Sequence, residues 1–451
     1  MISKFAFRGR CATVAIVSVL LSGLLPLAHG AVGETSFQFA FGAKGPVSGF
    51  TTVGQSALYD SGVGYGYLDA SAVEDVDRGG PNPVQSHFCT SGKPFIFAVD
   101  VPEGNYKVTV TLGDRAGVSQ TAVKASSREL ALETVETKQG QVGQYSFTVN
   151  VKTPTFDGGR QVGLKKREME LRRWDGRILL EFCGNRPCVD AVQIEKANAV
   201  TVFLAGDSTV TSQQNEPWAG WGQMLGRFFT PSVAVANHAE SGLALYSFRG
   251  GRRLDKILAS MHPGDYVFVQ FGHNDQKDKT PGAGPFTTYK ENLKQYVTAV
   301  RDKGGNPVLV SPMERRRWDA DGKPLSTLHD YAEAVSQVHE EEHVPMIDLN
   351  AMSLKFYEAL GPEGSKKAFV HYPAGTFPGQ DKELKDNTHH NVYGAYELAK
   401  CVVRGIRENV PDLAKLLRND VPPFEPSNPD KEESLHIPPS GNSSIEKPAG
   451  S

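Results

Sequence analysis

The rhythm of apolar positions changes once along the chain. Through residues 34–197 short apolar runs are broken by glycine, proline and polar turns: "FQFAF" (37–41), "PFIFAVDV" (94–101), "NYKVTVTLGD" (105–114), "YSFTVNV" (145–151), "RILLEFC" (177–183) and "VDAVQIEK" (189–196). In the third of these, Tyr106, Val108, Val110 and Leu112 fall on every second residue, the period of a strand with one buried face. Repeated strands of this kind predict an all-β sandwich over 31–197. From Asn198 the runs lose their alternation: "TVFLAG" (201–206), "SVAVAN" (232–237), "YVFVQFG" (266–272), "NPVLVSP" (306–312) and "VPMIDL" (344–349). Helical stretches such as "TYKENLKQYVTAVRDKG" and "LHDYAEAVSQVHEEEH" separate them. Strands apolar on both faces, alternating with helices, predict a parallel sheet covered on both sides. The expectation is a doubly wound, flavodoxin-like α/β domain over 198–418. Residues 419–451 are rich in proline, serine and charge, with little to bury, and are expected to be disordered.

The first 30 residues have the three-part layout of a secretory leader. Lys4, Arg8 and Arg10 precede an apolar run from Ala12 to Leu27, and Ala28 and Gly30 sit at −3 and −1 of a cut before Ala31. The run is interrupted by Ser22, Gly23 and Pro26 and falls short of a membrane span. A secreted or periplasmic, soluble protein is expected. The whole chain has 48 Lys and Arg against 51 Asp and Glu. Loss of the leader removes three cations and no acid, moving the formal charge from −3 to about −6. That excess disfavours a nucleic-acid or anionic-membrane partner. Export also leaves four cysteines in a compartment where disulfides persist. Two pairings are open: a local Cys183–Cys188 bridge across "CGNRPC", or Cys89 with one of those two. Cys401 falls within a helix expected over 391–408 and is read as a buried free thiol.

In an open parallel sheet the reactive groups gather at the carboxyl ends of the strands. After the first strand comes "GDST" (206–209); after the second, "NHAESGLALYSF", with Gly242; after the third, "GHND" (272–275); near the domain's end, "DNTHH" (386–390). Each alone has an ordinary reading. Ser208 and Thr209 serve as helix caps, Asn274 and Asp275 as turn formers, and Asp386 with His389 as a cap and a surface histidine. The adjacent histidines also raise a metal site. Together, however, the four blocks bring a hydroxyl, a glycine, an amide and a carboxylate–imidazole pair to one edge, the parts acyl transfer needs. "HNDQKDK" lacks any metal-loop spacing, so neither metal nor cofactor is expected.

The wording "GDSTV…NHAxSG…FGHNDQ…DNTHHNxYGAYELA" resembles the SGNH (GDS-type) hydrolases over roughly Thr201 to Ile406, and most of all their rhamnogalacturonan acetylesterase branch. The β-rich front half resembles the galactose-binding-like sandwich often joined to such esterases. The resemblance implies a catalytic triad of Ser208, His389 and Asp386. It implies an oxyanion hole from the backbone N–H groups of Ser208 and Gly242 and the Asn274 amide. The implied partner is an acetylated plant cell-wall polysaccharide. Where relatives commonly follow the glycine with a basic residue and a serine, this chain has Leu243 and Ala244. The polymer preference is therefore not carried over with the fold. His273, His390 and Arg315, the last within "ERRR" (314–317), are secondary candidates for substrate contact; the bland reading of "ERRR" is a solvated charge run. The competing functions are a lipase or thioesterase of the same fold and a non-catalytic polysaccharide binder.

Overall fold

The computed structural model describes residues 36–449; the leader expected over 1–30 lies outside them. Among these residues no helix is long and apolar enough to cross a membrane. The N-terminal part is a sandwich of two sheets. One runs Val142–Val151, Gly104–Gly113, Cys188–Lys196, Ser36–Phe41, Thr51–Val53, extended by Val73–Asp77 and His87–Ser91. The other runs Tyr65–Tyr67, Phe95–Asp100, Arg177–Arg186, Ser119–Ala125, Glu129–Thr137. The alternation in Gly104–Gly113 places Tyr106, Val108, Val110 and Leu112 between the sheets, all fully buried, against Phe97, Leu180 and Phe182 of the opposite sheet. Each such side chain contributes about 1.5–3 kcal/mol by leaving water.

Four residues beyond Lys196 the chain enters a five-stranded, wholly parallel sheet. Its order is Val233–Asn237, Val200–Gly206, Tyr266–Gln270, Asn306–Val310, Met346–Ile347. In chain order this is 2-1-3-4-5, the flavodoxin-like arrangement, with its switch point between the first and third strands. The unbroken apolar runs follow from burial on both faces. Val202 and Leu204 join the core beneath helix Val392–Asn409, while Phe203 and Ala205 face helices Arg253–Ser260, Lys290–Asp302 and His329–Glu342. Helix Val392–Asn409 buries Leu398, Ala399, Val402 and Val403, and Cys401 is a buried free thiol within it.

Two expectations are corrected. Neither disulfide forms; Cys89, Cys183 and Cys188 are buried free thiols. Between Cys183 and Cys188 the chain crosses from one sheet of the sandwich to the other, so the pair cannot close locally. Cys188 is registered opposite Thr90, and Cys89 opposite Val189. One residue of offset sends the two thiols to opposite faces of the sheet. The second correction is the C-terminal segment, expected to be disordered. Residues 419–449 run as ordered irregular chain along both domains. Val421 and Phe424 join the hydrolase core, and polar contacts add to them: Lys400 holds Asp430, Glu181 accepts from Ser440 Oγ and Gly441 N, and Trp218 Nε1 donates to Ser444 O.

Candidate active site

Strand Val200–Gly206 ends in a tight turn in which the N–H groups of Val210 and Thr211 both reach Asp207 O. Asp207 Oδ1 accepts from Thr209 N (2.9 Å) and Thr209 Oγ1 (2.7 Å), which locks the turn with Ser208 on it. No helix begins there, so Ser208 caps nothing. Strand Leu384–His390 carries Asp386 and His389 to the same place. His389 Nε2 lies 2.9 Å from Ser208 Oγ, and His389 Nδ1 lies 2.8 Å from Asp386 Oδ2. Asp386 Oδ1 takes the backbone N–H groups of Thr388 (2.7 Å) and His389 (2.9 Å). Burial pushes this carboxyl up, but the hydrogen bonds and charge of His389 and the two amides outweigh it and hold it well below the usual carboxylate range. An ionised carboxylate can only accept, so His389 carries its proton on Nδ1 and offers the Nε2 lone pair to the Ser208 hydroxyl. The edge of Trp218 faces the imidazole at 5.8 Å between ring centroids.

Gly242 has φ +76°, and a Cβ there would stand 3.3 Å from Lys165 Nζ and from Ala449 Cβ. Glycine is required by the backbone, and a side chain would also crowd these two neighbours. Asn274, at the exit of the third strand, donates one amide hydrogen to Leu243 O (3.0 Å), which fixes the amide beside the Gly242 loop and leaves its second hydrogen as a donor. Ser208, Gly242, Asn274, Asp386 and His389 thus come together from four segments at the carboxyl edge of the sheet.

His273 and His390 stand apart from these, held by partners within the protein. His273 is fully buried, with Nδ1 3.5 Å from Asp207 Oδ2, and burial holds the ring below its ordinary pKa and neutral. His390 is bonded through Nε2 to Tyr357 Oη (2.9 Å) and packed on Phe369; burial, then the neighbouring histidines, bring it down to about 3. The adjacent imidazoles therefore serve different partners on opposite sides of one strand, as the two-residue period of a strand dictates. "ERRR" is not a solvated run. Buried Glu314 accepts from Ser326 Oγ, Thr327 N and Oγ1, Leu328 N and Asn350 Nδ2. Arg316 holds Asn387 through its backbone N–H (2.8 Å) and its guanidinium (3.1 Å), bracing the strand that carries Asp386. Arg315 is half-buried, reaching His273 O (3.4 Å) and Thr327 Oγ1 (3.3 Å).

The sequence reading missed what closes the site. The C-terminal segment passes from Asp386, whose Oδ2 is 3.3 Å from Lys447 Nζ, over buried Pro448 to Ala449 beside Gly242. At this edge Ser208 is 1 % exposed, and His389 and Asp386 are each 2 % exposed. It missed as well the cations that reach this edge from the sandwich side, Lys165, Arg167 and Arg173, whose partners lie far away in the chain.

Comparison with known proteins matches residues 204–377 to the GDSL-like lipase/acylhydrolase family and residues 37–145 to the β-agarase/YXIM esterase-like, galactose-binding domain-like family. Over 211 residues the chain is 42 % identical to rhamnogalacturonan acetylesterase RhgT of Bacillus subtilis, covering 46 % of this chain and 90 % of that protein. It is 27 % identical over 380 residues to the uncharacterized esterase YxiM of Bacillus subtilis, 82 % of this chain and 90 % of the relative. The crystal structure of YxiM superposes with a TM-score of 0.43 at 26 % identity, covering 83 % of this chain and 98 % of that one. The chain belongs to the GDSL-like lipase/acylhydrolase family of serine ester hydrolases, with a galactose-binding-like sandwich ahead of its hydrolase domain.

Proposed function

We propose that this protein is a secreted or periplasmic carbohydrate esterase that removes O-acetyl groups from a plant cell-wall polysaccharide, rhamnogalacturonan first, through a Ser208 acyl-enzyme. The observation that carries the reading is the line of contacts from Ser208 Oγ to His389 Nε2 and from His389 Nδ1 to Asp386, at 2.9 and 2.8 Å. The 42 % identity to a rhamnogalacturonan acetylesterase supports the substrate class. In the first step Ser208 Oγ attacks the acetyl carbonyl carbon while its proton passes to His389 Nε2; Asp386 stabilises the imidazolium. The carbonyl oxygen takes the negative charge, facing the N–H groups of Ser208 and Gly242 and the free hydrogen of the Asn274 amide. As the tetrahedral intermediate collapses, the C–O bond to the sugar breaks and the sugar oxygen leaves with the proton from Nε2. Water then gives a proton to Nε2, attacks acetyl-Ser208, and acetate departs as Ser208 regains its proton. Arg315, half-buried at the edge, is the candidate for a uronate carboxylate, which a guanidinium binds bidentately.

The test is acetate release from acetylated rhamnogalacturonan beside acetylated xylan, with the parent and Ser208→Ala. Release from the first by the parent only is the expected result. Full activity of Ser208→Ala on either polymer overturns the mechanism; release from xylan alone overturns the substrate.

A further inference from the structure

Between the two segments that match known families, residues 163–174 leave the sandwich and reach the loops of the hydrolase domain. Around a single helical turn, Lys166–Met169, three cations reach residues 240 and 241: Lys165 just before it, Arg167 within it and Arg173 beyond it. Arg167 binds Glu240 Oε1, and Arg173 Nη2 binds Glu240 Oε2 at 2.5 Å. Arg173 Nη1 goes on to Thr211 Oγ1 (2.7 Å) and Ser212 O (3.3 Å), three and four residues past Ser208. Lys165 Nζ donates to Ser241 O at 2.5 Å. Glu240 and Arg173 are buried, and charges are taken out of water only where partners hold them closely. The Glu240 side chain therefore has a single position, and the backbone that follows it is fixed.

The carbonyl that Lys165 holds belongs to the same peptide group as the N–H of Gly242. In a trans peptide these two point in opposite directions, so a cation anchored on the oxygen sets the direction of the hydrogen. A charged donor on the oxygen also polarises the amide and strengthens the hydrogen bond its N–H gives. We propose that Lys165, contributed from outside the hydrolase domain, is a positioning residue for the oxyanion pocket: it orients and polarises the Ser241–Gly242 peptide, with Arg167 and Arg173 clamping Glu240 to hold that peptide in reach. The inference rests on the reading of Gly242 N–H as an oxyanion donor. It gives the sandwich a part in the chemistry, since without residues 165–173 the loop at Gly242 loses its charged anchors.

The experiment compares full-length parent, Lys165→Met, Lys165→Arg and Ser208→Ala on a small chromogenic acetate ester. Lys165 is half-buried and its methionine variant keeps the stem, so the fold survives; the thermal midpoint checks this. The expected result is a 10- to 100-fold fall in kcat for Lys165→Met, short of the roughly 100- to 1000-fold typical of losing a whole donor. KM should stay within twofold, and Lys165→Arg should recover most of the rate. Binding of a methylboronic acid, which forms a tetrahedral anion on serine, should weaken by the same factor as kcat. A role in stability alone would move the thermal midpoint and leave the split between kcat and KM untouched. If Lys165→Met keeps kcat and boronate affinity within twofold while Ser208→Ala is inactive, the inference is wrong and the triad stands. If Ser208→Ala is active, the triad reading falls and takes this inference with it.

Discussion

The segment that covers Ser208 sets a first measurable expectation. Deleting residues 443–451 removes Lys447, Pro448 and Ala449 and leaves the Ser440 and Gly441 anchors on Glu181 in place. Three of the lost contacts can be added up. Trp218 Nε1 donates to Ser444 O at 2.9 Å and Ser444 N donates to Glu216 O at 2.8 Å; two such bonds contribute about 2 kcal/mol net. The Lys447–Asp386 contact, with the lysine side chain 48 % exposed, adds no more than about 1 kcal/mol once water screens it. Ordering the backbone offsets part of this gross figure of roughly 3 kcal/mol. A net closure of about 1.5 kcal/mol leaves Ser208 uncovered roughly a tenth of the time. A serine-directed phosphonate should therefore label the truncated chain about tenfold faster than the full chain, with the second-order rate constant read by intact mass. Lys447→Met in the full chain should fall between the two. Acetylated polymer should show a larger gain than a small ester, because a polymer needs a wider opening over Ser208. Equal labelling rates for full and truncated chains would refute the idea that the segment closes the site.

The remaining expectations follow from single contacts. Asp386→Asn lets Nδ1 lose its acceptor and frees the imidazole to adopt the other tautomer, so kcat should fall by about 10⁴ with little change in KM. Asn274→Ala should cost about 100- to 1000-fold in kcat and weaken tetrahedral anion mimics in parallel. His390→Gln breaks the bond to Tyr357 inside the core and should lower stability by about 1–3 kcal/mol in a denaturant titration while leaving kcat in place. Asp190 lies buried in the sandwich with neither carboxylate oxygen partnered, and burial, followed by the charge of Asp114, raises it to about 9. Its unfolded value is near 3.8, so between about pH 4 and 9 the unfolded chain releases a proton the folded one keeps. This group's contribution to stability is thus largest below pH 4 and declines as pH rises to 9. Asp190→Asn should remove that part of the slope in thermal melts across the window.

Which features could be read in the sequence depended on how far apart the determining residues lie. Strand Gly104–Gly113 announced itself because one face is apolar at every second position, and the hydrolase strands because both faces are. Strand Glu129–Thr137, "ELALETVET", gave no such signal, since most of it is half-buried at a junction where Glu129 and Glu133 bind Ser212, Arg227 and Tyr396 of the hydrolase domain. Glu129 and Glu133 stand at a domain boundary, which local periodicity reads as surface. The same limit applied to the cysteines, whose spacing in "CGNRPC" suited a bridge that the change of sheet forbids.

The site divides in the same way. Ser208, Gly242, Asn274, Asp386 and His389 stand each in a short block at a strand end, and the topology of a parallel sheet gathers such blocks at one edge whatever the spacing between them. Lys165, Arg167 and Arg173 stand in a run of alternating charge that looks like any solvated surface, and only the packing of two domains brings it to Glu240 and Ser241. A buried charge is costly unless its partner is fixed, so the carboxylate and the cations oblige each other's positions across the boundary. This accounts for an acid at 240 that has no part in the proposed acyl transfer. Glu240 is the handle by which the sandwich grips the loop, and Gly242, two residues on, is what the grip positions.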